Sequence, residues 1–267
     1  MDSQKQNNIL NENDNDNQLE KRVELPIHEF FLINFITYTI PLYLCVGIFV
    51  ILEYILISAI SINLVLHIII LPPMLFTIYC IYIIVFIEFA ALWIKRWNKK
   101  SLPKQGVFKR VLDDKHSEEG SLIRYYHRRG FILRLCIWIS SKSPFPWLVN
   151  RALRRVGHNK IGKNVIYCNS YVGLEFTVLK DNVFLYPTSL ISSHSVESIF
   201  GKLTLLEVEL GKNTTIYPGV TIGPGAQTRD NYVINPNSML HKNWRGVEGK
   251  SYYNGVTAKP INNEKKK

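Results

Sequence analysis

The chain has 267 residues, with 32 Lys+Arg against 21 Asp+Glu, a formal net charge of +11. Hydrophobic residues make up 47% of it, yet between Phe30 and Ile94 only Glu53 and Glu88 carry a formal charge. That unevenness excludes a plain soluble globule and disorder over the whole length. The four cysteines, Cys45, Cys80, Cys136 and Cys168, exclude a disulfide-dense scaffold. No pair of them has metal-ligand spacing, so no metal is expected.

Residues 1–27 hold three basic and six acidic side chains and read as a disordered polar tail without a signal peptide. Residues 28–97 predict a transmembrane helical hairpin. A bilayer core of about 30 Å needs roughly 20 helical residues. The apolar stretch therefore divides into spans at about Phe30–Leu52 and Leu64–Trp93, with Ser58, Ser61 and Asn63 in the polar interval. Pro72-Pro73 should kink or break the second helix. Glu53 and Glu88 are expected to snorkel at the interfaces, and Trp93 and Trp97 to form an interfacial belt. His67 is the third polar residue weighed here, with an intramembrane proton path as the rival reading for all three.

Residues 95–160 hold seventeen basic and four acidic residues. Such an excess directly after a span marks the cytoplasmic side. The chain is thus expected to be a multi-pass protein of the cell membrane with its C-terminal part inside. Within the basic amphipathic connector, residues 98–157, aromatic and basic residues mix at helical spacing, as in Tyr125-Tyr126-His127-Arg128-Arg129. That composition suits a helix in the lipid headgroup layer. Nucleic acid is the rival partner of a basic patch, but no nucleic-acid module accompanies this one, so none is expected. A short helix, about Trp147–Val156, then leads into the next segment.

Residues 158–261 change character. Ile161-Gly162-Lys163-Asn164-Val165 recurs as Leu210-Gly211-Lys212-Asn213-Thr214. Every sixth residue from Ile161 reads Ile, Tyr, Gly, Leu, Leu, Ile, and from Leu210 reads Leu, Ile, Ile, Thr, Ile, Leu. Small residues follow four positions on, at Val165, Val183, Thr214, Val220, Ala226 and Ser238. This is the pattern of a parallel β-helix of hexapeptide repeats, with the aliphatic side chain inward and Gly or Asn at the corners. The two registers are out of phase, so residues 196–208 should be an insertion. Residues 262–267 form a terminal tail.

The segment Ile161–Ile261 resembles the hexapeptide-repeat acyltransferases with a left-handed β-helix. Its end, Asn254-Gly255-Val256-Thr257-Ala258-Lys259-Pro260-Ile261, is similar to the Gly-Asn-Pro-Ala-Lys-Pro closure of that family, with Val-Thr in place of Asn-Pro. A narrower resemblance, over about residues 100–261, is to the membrane-anchored hexapeptide regions of synthetases related to nonribosomal peptide synthetases, including the poly-lysine synthetases. Leu153-Arg154-Arg155-Val156-Gly157 and Leu190-Ile191-Ser192-Ser193-His194-Ser195-Val196-Glu197 carry it. The fold class so read is membrane-anchored all-β.

The resemblance implies a homotrimer that transfers an acyl group from acyl-CoA to a hydroxyl or amine of a small-molecule or lipid-linked acceptor beside membrane lipids. It implies His194 as the catalytic base, because histidine titrates near operating pH. Glu197 is the residue expected to orient it. His241 is an alternative base, and His158 belongs to the turn into the coil. Gly223, Gly225 and Ala226 with Lys259 would line the pantetheine arm and meet its phosphate, against the plainer reading of coil corners and a surface lysine. A non-catalytic, membrane-anchored trimeric scaffold is the alternative function.

Overall fold

The computed structural model describes residues 27–110, 117–173, 175–197 and 201–261. The two tails expected from sequence lie outside them, Ile27 excepted. Helix α1 (Ile27–Tyr54) runs on through one π-turn, Ile55–Ala59, and α2 spans Leu64–Lys100. Asn63 caps α2 by accepting from the Leu66 amide at 2.9 Å. Both helices are long and apolar enough to cross a membrane. Pro72 and Pro73 do not break α2, and the Thr77 hydroxyl donates to the Pro73 carbonyl at 2.8 Å.

Two expectations for the hairpin change. The run from Tyr82 to Trp97 is packed against protein, so the exposed apolar surface of α2 falls mainly between Leu64 and Tyr79. Trp97 is buried and stacks on Trp93 at 5.7 Å instead of lining an interface. The hairpin carboxylates have partners within the protein. Glu53 faces His67 at 3.5 Å, while Glu88 pairs with Arg151 and Arg155. At the start of α1, Glu29 pairs with Arg124 and Arg128.

Those arginines lie on α3 (Glu118–Ser141) and α4 (Trp147–Arg155). The all-β description is corrected here, because these two helices join the hairpin to the coil. Ser117 caps α3 by accepting from the Gly120 amide at 3.1 Å, and Glu118 and Glu119 suit the positive end of its dipole. Ile132, Leu133 and Cys136 of α3 pack with α2. Leu122, Ile123 and Tyr126 pack with Phe176, Leu203 and Leu205 beyond it. Helix α4 divides its faces likewise. Leu148 and Ala152 join the helical core, while Val149 and Leu153 close one end of the coil. Its Asn150 donates to the Val165 carbonyl at 2.7 Å.

The coil is a three-sided parallel β-helix. One side stacks β2 (His158–Ile161), β5 (Glu175–Leu179) and β10 (Val208–Leu210). The second stacks β3 (Ile166–Tyr167), β6 (Phe184–Leu185), β11 (Thr215–Ile216), β13 (Val233–Ile234) and β15 (Tyr252–Asn254), with β16 (Lys259–Pro260) turned antiparallel at the edge. The third stacks β4 (Tyr171–Val172), β7 (Leu190–Ile191), β12 (Thr221–Ile222) and β14 (Met239–Leu240). Leu179, Leu185, Ile191, Leu210, Ile216, Ile222, Ile234 and Leu240 point inward and are buried, as are all six small residues of the pattern. At one position the six-residue count slips. Val172, not Gly173, fills the core, and Tyr171 pairs with Leu190, one residue beyond the 18-residue step from Ile161 to Leu179.

The repeated Ile/Leu-Gly-Lys-Asn motif has a physical reason. A Cβ on Gly162 would lie 2.6 Å from Lys180 C and Asp181 Oδ1, and one on Gly211 only 2.4 Å from Arg229 C and O. The next residue's amide donates to an aspartate one coil on, Lys163 to Asp181 and Lys212 to Asp230, each at 2.7 Å. Asn164, Asn182, Asn213 and Asn231 then turn the corner with φ from 54° to 62°, and their amides bond in a column at 3.2, 3.0 and 2.8 Å.

The outward residues differ by side. The first presents Lys160, Val178, Glu209, Gln227 and Arg245. The third presents Tyr171, Leu190, Thr221, Met239 and Val256, and the second Ile166, Phe184, Thr215, Val233 and Tyr252. Two sides of the coil are therefore apolar outside as well as inside.

The insertion is real. Ile191 pairs with Ile222, 31 residues on where a coil takes 18. The extra chain forms an antiparallel hairpin, β8 (His194–Glu197) and β9 (Lys202–Leu205), and β1 (Gly106–Lys109) adds to β9 as a third strand.

Candidate active site

The insertion strand β8 holds His194 over a cavity of about 200 Å³. Its walls are Tyr126, His127, Gly130, Phe131 and Arg134 from α3, Tyr171 from β4, and His194 and Val196 from β8. His194 and Val196 share this face because side chains two apart on a strand point the same way. The Tyr126 ring stands edge-on to His194 at 5.9 Å and to His127 at 5.2 Å. The fragment is locked from behind by a buried ion pair of Arg129 with Glu175, whose side chains are each 3% exposed. Arg129 also donates to the Ser101 carbonyl at 3.0 Å, tying α3 to the end of α2. Burial pushes the Glu175 carboxyl up, and Arg129 opposes that.

The hydrogen bonds of His194 select its basic nitrogen. Ser192 donates its hydroxyl proton to the His194 carbonyl at 2.6 Å. Its oxygen is therefore the acceptor toward His194 Nδ1, 3.4 Å away, which puts the ring proton on Nδ1 and leaves the lone pair on Nε2. Burial lowers the His194 pKa, so the ring is neutral at pH 7. His127 is lowered to about 4, first by burial and then by the charge of Arg110, and its Nε2 is buried without a hydrogen-bond partner among the described residues. The pair gives two neutral imidazoles on one cavity, able to accept or relay a proton.

The remaining predicted residues do not gather here. Glu197 is three residues from His194 on a regular strand, paired residue for residue with β9, so it points to the opposite face and cannot orient the imidazole. Ser192 stands in that place instead. Gly223 and Gly225 form the corner after β12, where Gly225 has φ +78° and a Cβ would meet Asn243 Oδ1 at 2.2 Å. Ala226 is fully buried in the coil core, so its methyl cannot line a ligand. Lys259 lies on β16, on another side of the coil from that corner. His241 is exposed, and His158 opens β2 with its ring against Phe176 at 5.4 Å.

Sequence reasoning missed His127, Tyr126 and Arg134. They stood out only as part of a basic, aromatic run, and nothing local signals that the run packs against a strand about 65 residues on. A larger cavity, about 440 Å³, is an open trough on the charged side between Arg154, Lys160, Lys180 and Lys212. Its walls hold Asp181 but no histidine, and the Asp181 carboxylate already accepts the Lys163 amide.

No protein-family profile matches the sequence, and no curated protein sequence matches it significantly. Solved structures do. A maltose O-acetyltransferase from Clostridium difficile 630 is 18% identical over 51% of this chain and 86% of its own, with a TM-score of 0.37. A hexapeptide-repeat-containing acetyltransferase from Vibrio cholerae O1 biovar eltor, complexed with acetyl coenzyme A, is 15% identical over 58% of this chain and 94% of its own, with a TM-score of 0.39. Serine acetyltransferase of Neisseria gonorrhoeae is 17% identical over 69% of this chain and 71% of its own, with a TM-score of 0.23. At these TM-scores the architecture of this chain rests on its own strand register.

Proposed function

We propose that this chain is a membrane-embedded acyltransferase of the hexapeptide-repeat type, with the left-handed winding its repeat resembles. An acyl thioester, acyl-CoA in this reading, is the donor, and a hydroxyl or amine is the acceptor. His194 Nε2 takes the acceptor's proton as its oxygen or nitrogen attacks the thioester carbonyl. The carbon–sulfur bond breaks, a carbon–oxygen or carbon–nitrogen bond forms, and the proton passes to the departing thiolate. The observation that carries this reading is a neutral imidazole with its Nδ1 against Ser192, standing over a cavity beside the helical hairpin.

The hairpin spans the membrane in this proposal, and the basic segment after it places the coil on the cytoplasmic side. The two apolar outer sides of the coil support a homotrimer, and Gly223 and Gly225 remain the corner proposed for the pantetheine arm. The finer kinship with the poly-lysine synthetase type belongs to the same proposal.

The test is thiol release from a panel of acyl-CoAs by the full-length protein in phosphatidylcholine nanodiscs, with sugar, amine and polar-lipid acceptors. His194→Ala should lower acceptor-dependent release about 10²- to 10⁴-fold without moving the melting temperature. Release that is absent in wild type, or equal in the variant, overturns the reading and leaves the scaffold.

A further inference from the structure

Helix α3 carries four arginines, and three of them have carboxylate partners. Arg124 and Arg128 pair with Glu29, and Arg129 with Glu175. Arg134 is exposed and pairs with no carboxylate among the described residues. It occupies a particular place. The cavity under His194 and a second cavity, about 260 Å³, both have Arg134 and Tyr171 in their walls. The second continues along α3 to Trp138 and Ser141. The two adjoin between α3 and the first coil, with Arg134 and Tyr171 where they meet and His194 in one of them, and we read them as one groove. The guanidinium is close enough to Tyr171 for its charge to act on the phenol.

Apart from the imidazoles and a few polar groups (Ser141, Asn169 and Ser170), much of the wall is aromatic or aliphatic, and Phe131 links it to the hairpin. Phe131 stacks on Phe30 in the first turn of α1 at 4.5 Å. Beyond Phe30, α1 leaves Phe31 and Leu32 exposed. Trp138, at the groove's other half, is 56% exposed. An unpaired cation at the centre of an aromatic slot that begins at an exposed apolar helix matches a ligand with one anion and one apolar chain.

We propose that this groove seats a phosphate-bearing amphiphile drawn from the membrane, its phosphate on Arg134 and its chain along Phe131 toward α1. Its role as the acyl acceptor rests on the function proposed above. Its binding does not. Arg134 is then the residue that selects the acceptor, while His194 acts on it.

The experiment uses the full chain in dodecyl maltoside micelles, which carry no phosphate, and reads tryptophan fluorescence, with Trp138→Phe identifying the reporting ring. The probes are hexyl phosphate, inorganic phosphate and hexanol. Hexyl phosphate should bind at least about tenfold more tightly than either fragment, and Arg134→Gln should weaken it by about tenfold, the usual scale of a charge-assisted contact. Arg134→Lys should recover part of the loss. Because Arg134 is exposed, the melting temperature should not move in either variant. Inorganic phosphate binding as well as hexyl phosphate would make this a free-anion site. Hexanol binding as well would make it an apolar slot. Either result, unchanged binding in Arg134→Gln, or no binding at all overturns the proposal. His194→Ala should keep the binding and lose the transfer, so binding with no transfer in wild type would sink the enzymatic reading and leave the groove standing.

Discussion

The helical hairpin and the coil are built from the same aliphatic residues and treat them in opposite ways. In α1, Phe31 and Tyr43 are each 72% exposed and Val50 is 57% exposed, while Leu185, Ile191, Ile216 and Ile222 in the coil are at 0%. Hydrophobic content does not separate the two regions. What separates them is the interval at which apolar residues recur and what stands between them. Six-residue spacing with Asn and Gly corners lets the coil bury its own stripe. The unbroken run of α1 has no polar face to turn outward and leaves its apolar side chains exposed, which in the proposed reading an apolar solvent covers. Where α2 leaves that regime, from Tyr82 to Trp97, other helices cover it.

The largest effect expected on this contrast is from a charge placed in each region. Ile222→Asp should abolish the coil, because an unpaired carboxylate in that core costs an amount comparable to a domain's stability of about 5–15 kcal/mol. The β signal in circular dichroism should vanish while the helical signal remains. Val50→Asp should keep both signals and lower the fraction of protein that floats with vesicles, and loss of the coil in that variant would break the comparison.

Next in size is the joint between the regions. Arg129→Leu strands Glu175 and should cost about 3–5 kcal/mol in urea unfolding, with much of it recovered when Glu175→Leu is added. A double variant no better than the single one would mean that the pair is not the joint.

The pH response should be smaller. Burial holds His127 at about 4 against 6.5 for a free histidine. The unfolded chain therefore takes up a proton through pH 6.5 while the folded one does not until about 4. Stability from this group is full above 6.5 and declines as the pH falls. Between pH 7.5 and 5 the loss should be on the order of 2 kcal/mol, and His127→Leu should flatten it. The acid limb of acyl transfer should likewise lie below the ordinary histidine range, since His194 is also lowered by burial.

The smallest effect is at a corner. Asn213→Ala should cost about 1 kcal/mol, because its φ of 56° suits Asn or Gly and its column of amides is interrupted. Asn213→Gly keeps the backbone and should cost less, and equal losses would assign the effect to the amide column alone.

The coil was legible because each hexapeptide states its own side. The inward residue, the small residue and the corner lie within a few positions of one another. It failed at Gly173, where a side one residue short put Val172 inward. The length of the insertion was readable from the phase change, but its form as a hairpin was not. The role expected of Glu197 fails because β8 is a regular strand, which puts Glu197 on the face opposite His194. Least legible were the long-range pairs. Glu29, Glu88 and Glu175 each meet arginines of α3 or α4 far along the chain, and charge counting gives their excess without their partners. The groove beside His194 depends on those pairs, which is why its α3 wall was invisible in the sequence.

A parallel coil ends in exposed peptide edges, and such edges invite another coil to stack on them. In this molecule α4 covers one end with Val149 and Leu153, and Asn150 takes up the Val165 carbonyl there. At the other, β16 reverses direction along β15, so the parallel pattern does not continue at that edge. The coil thus has a terminated length. Removing the side chains of α4 that fill its mouth would open one such edge, so the helix that ties the coil to the hairpin also serves as the coil's cap.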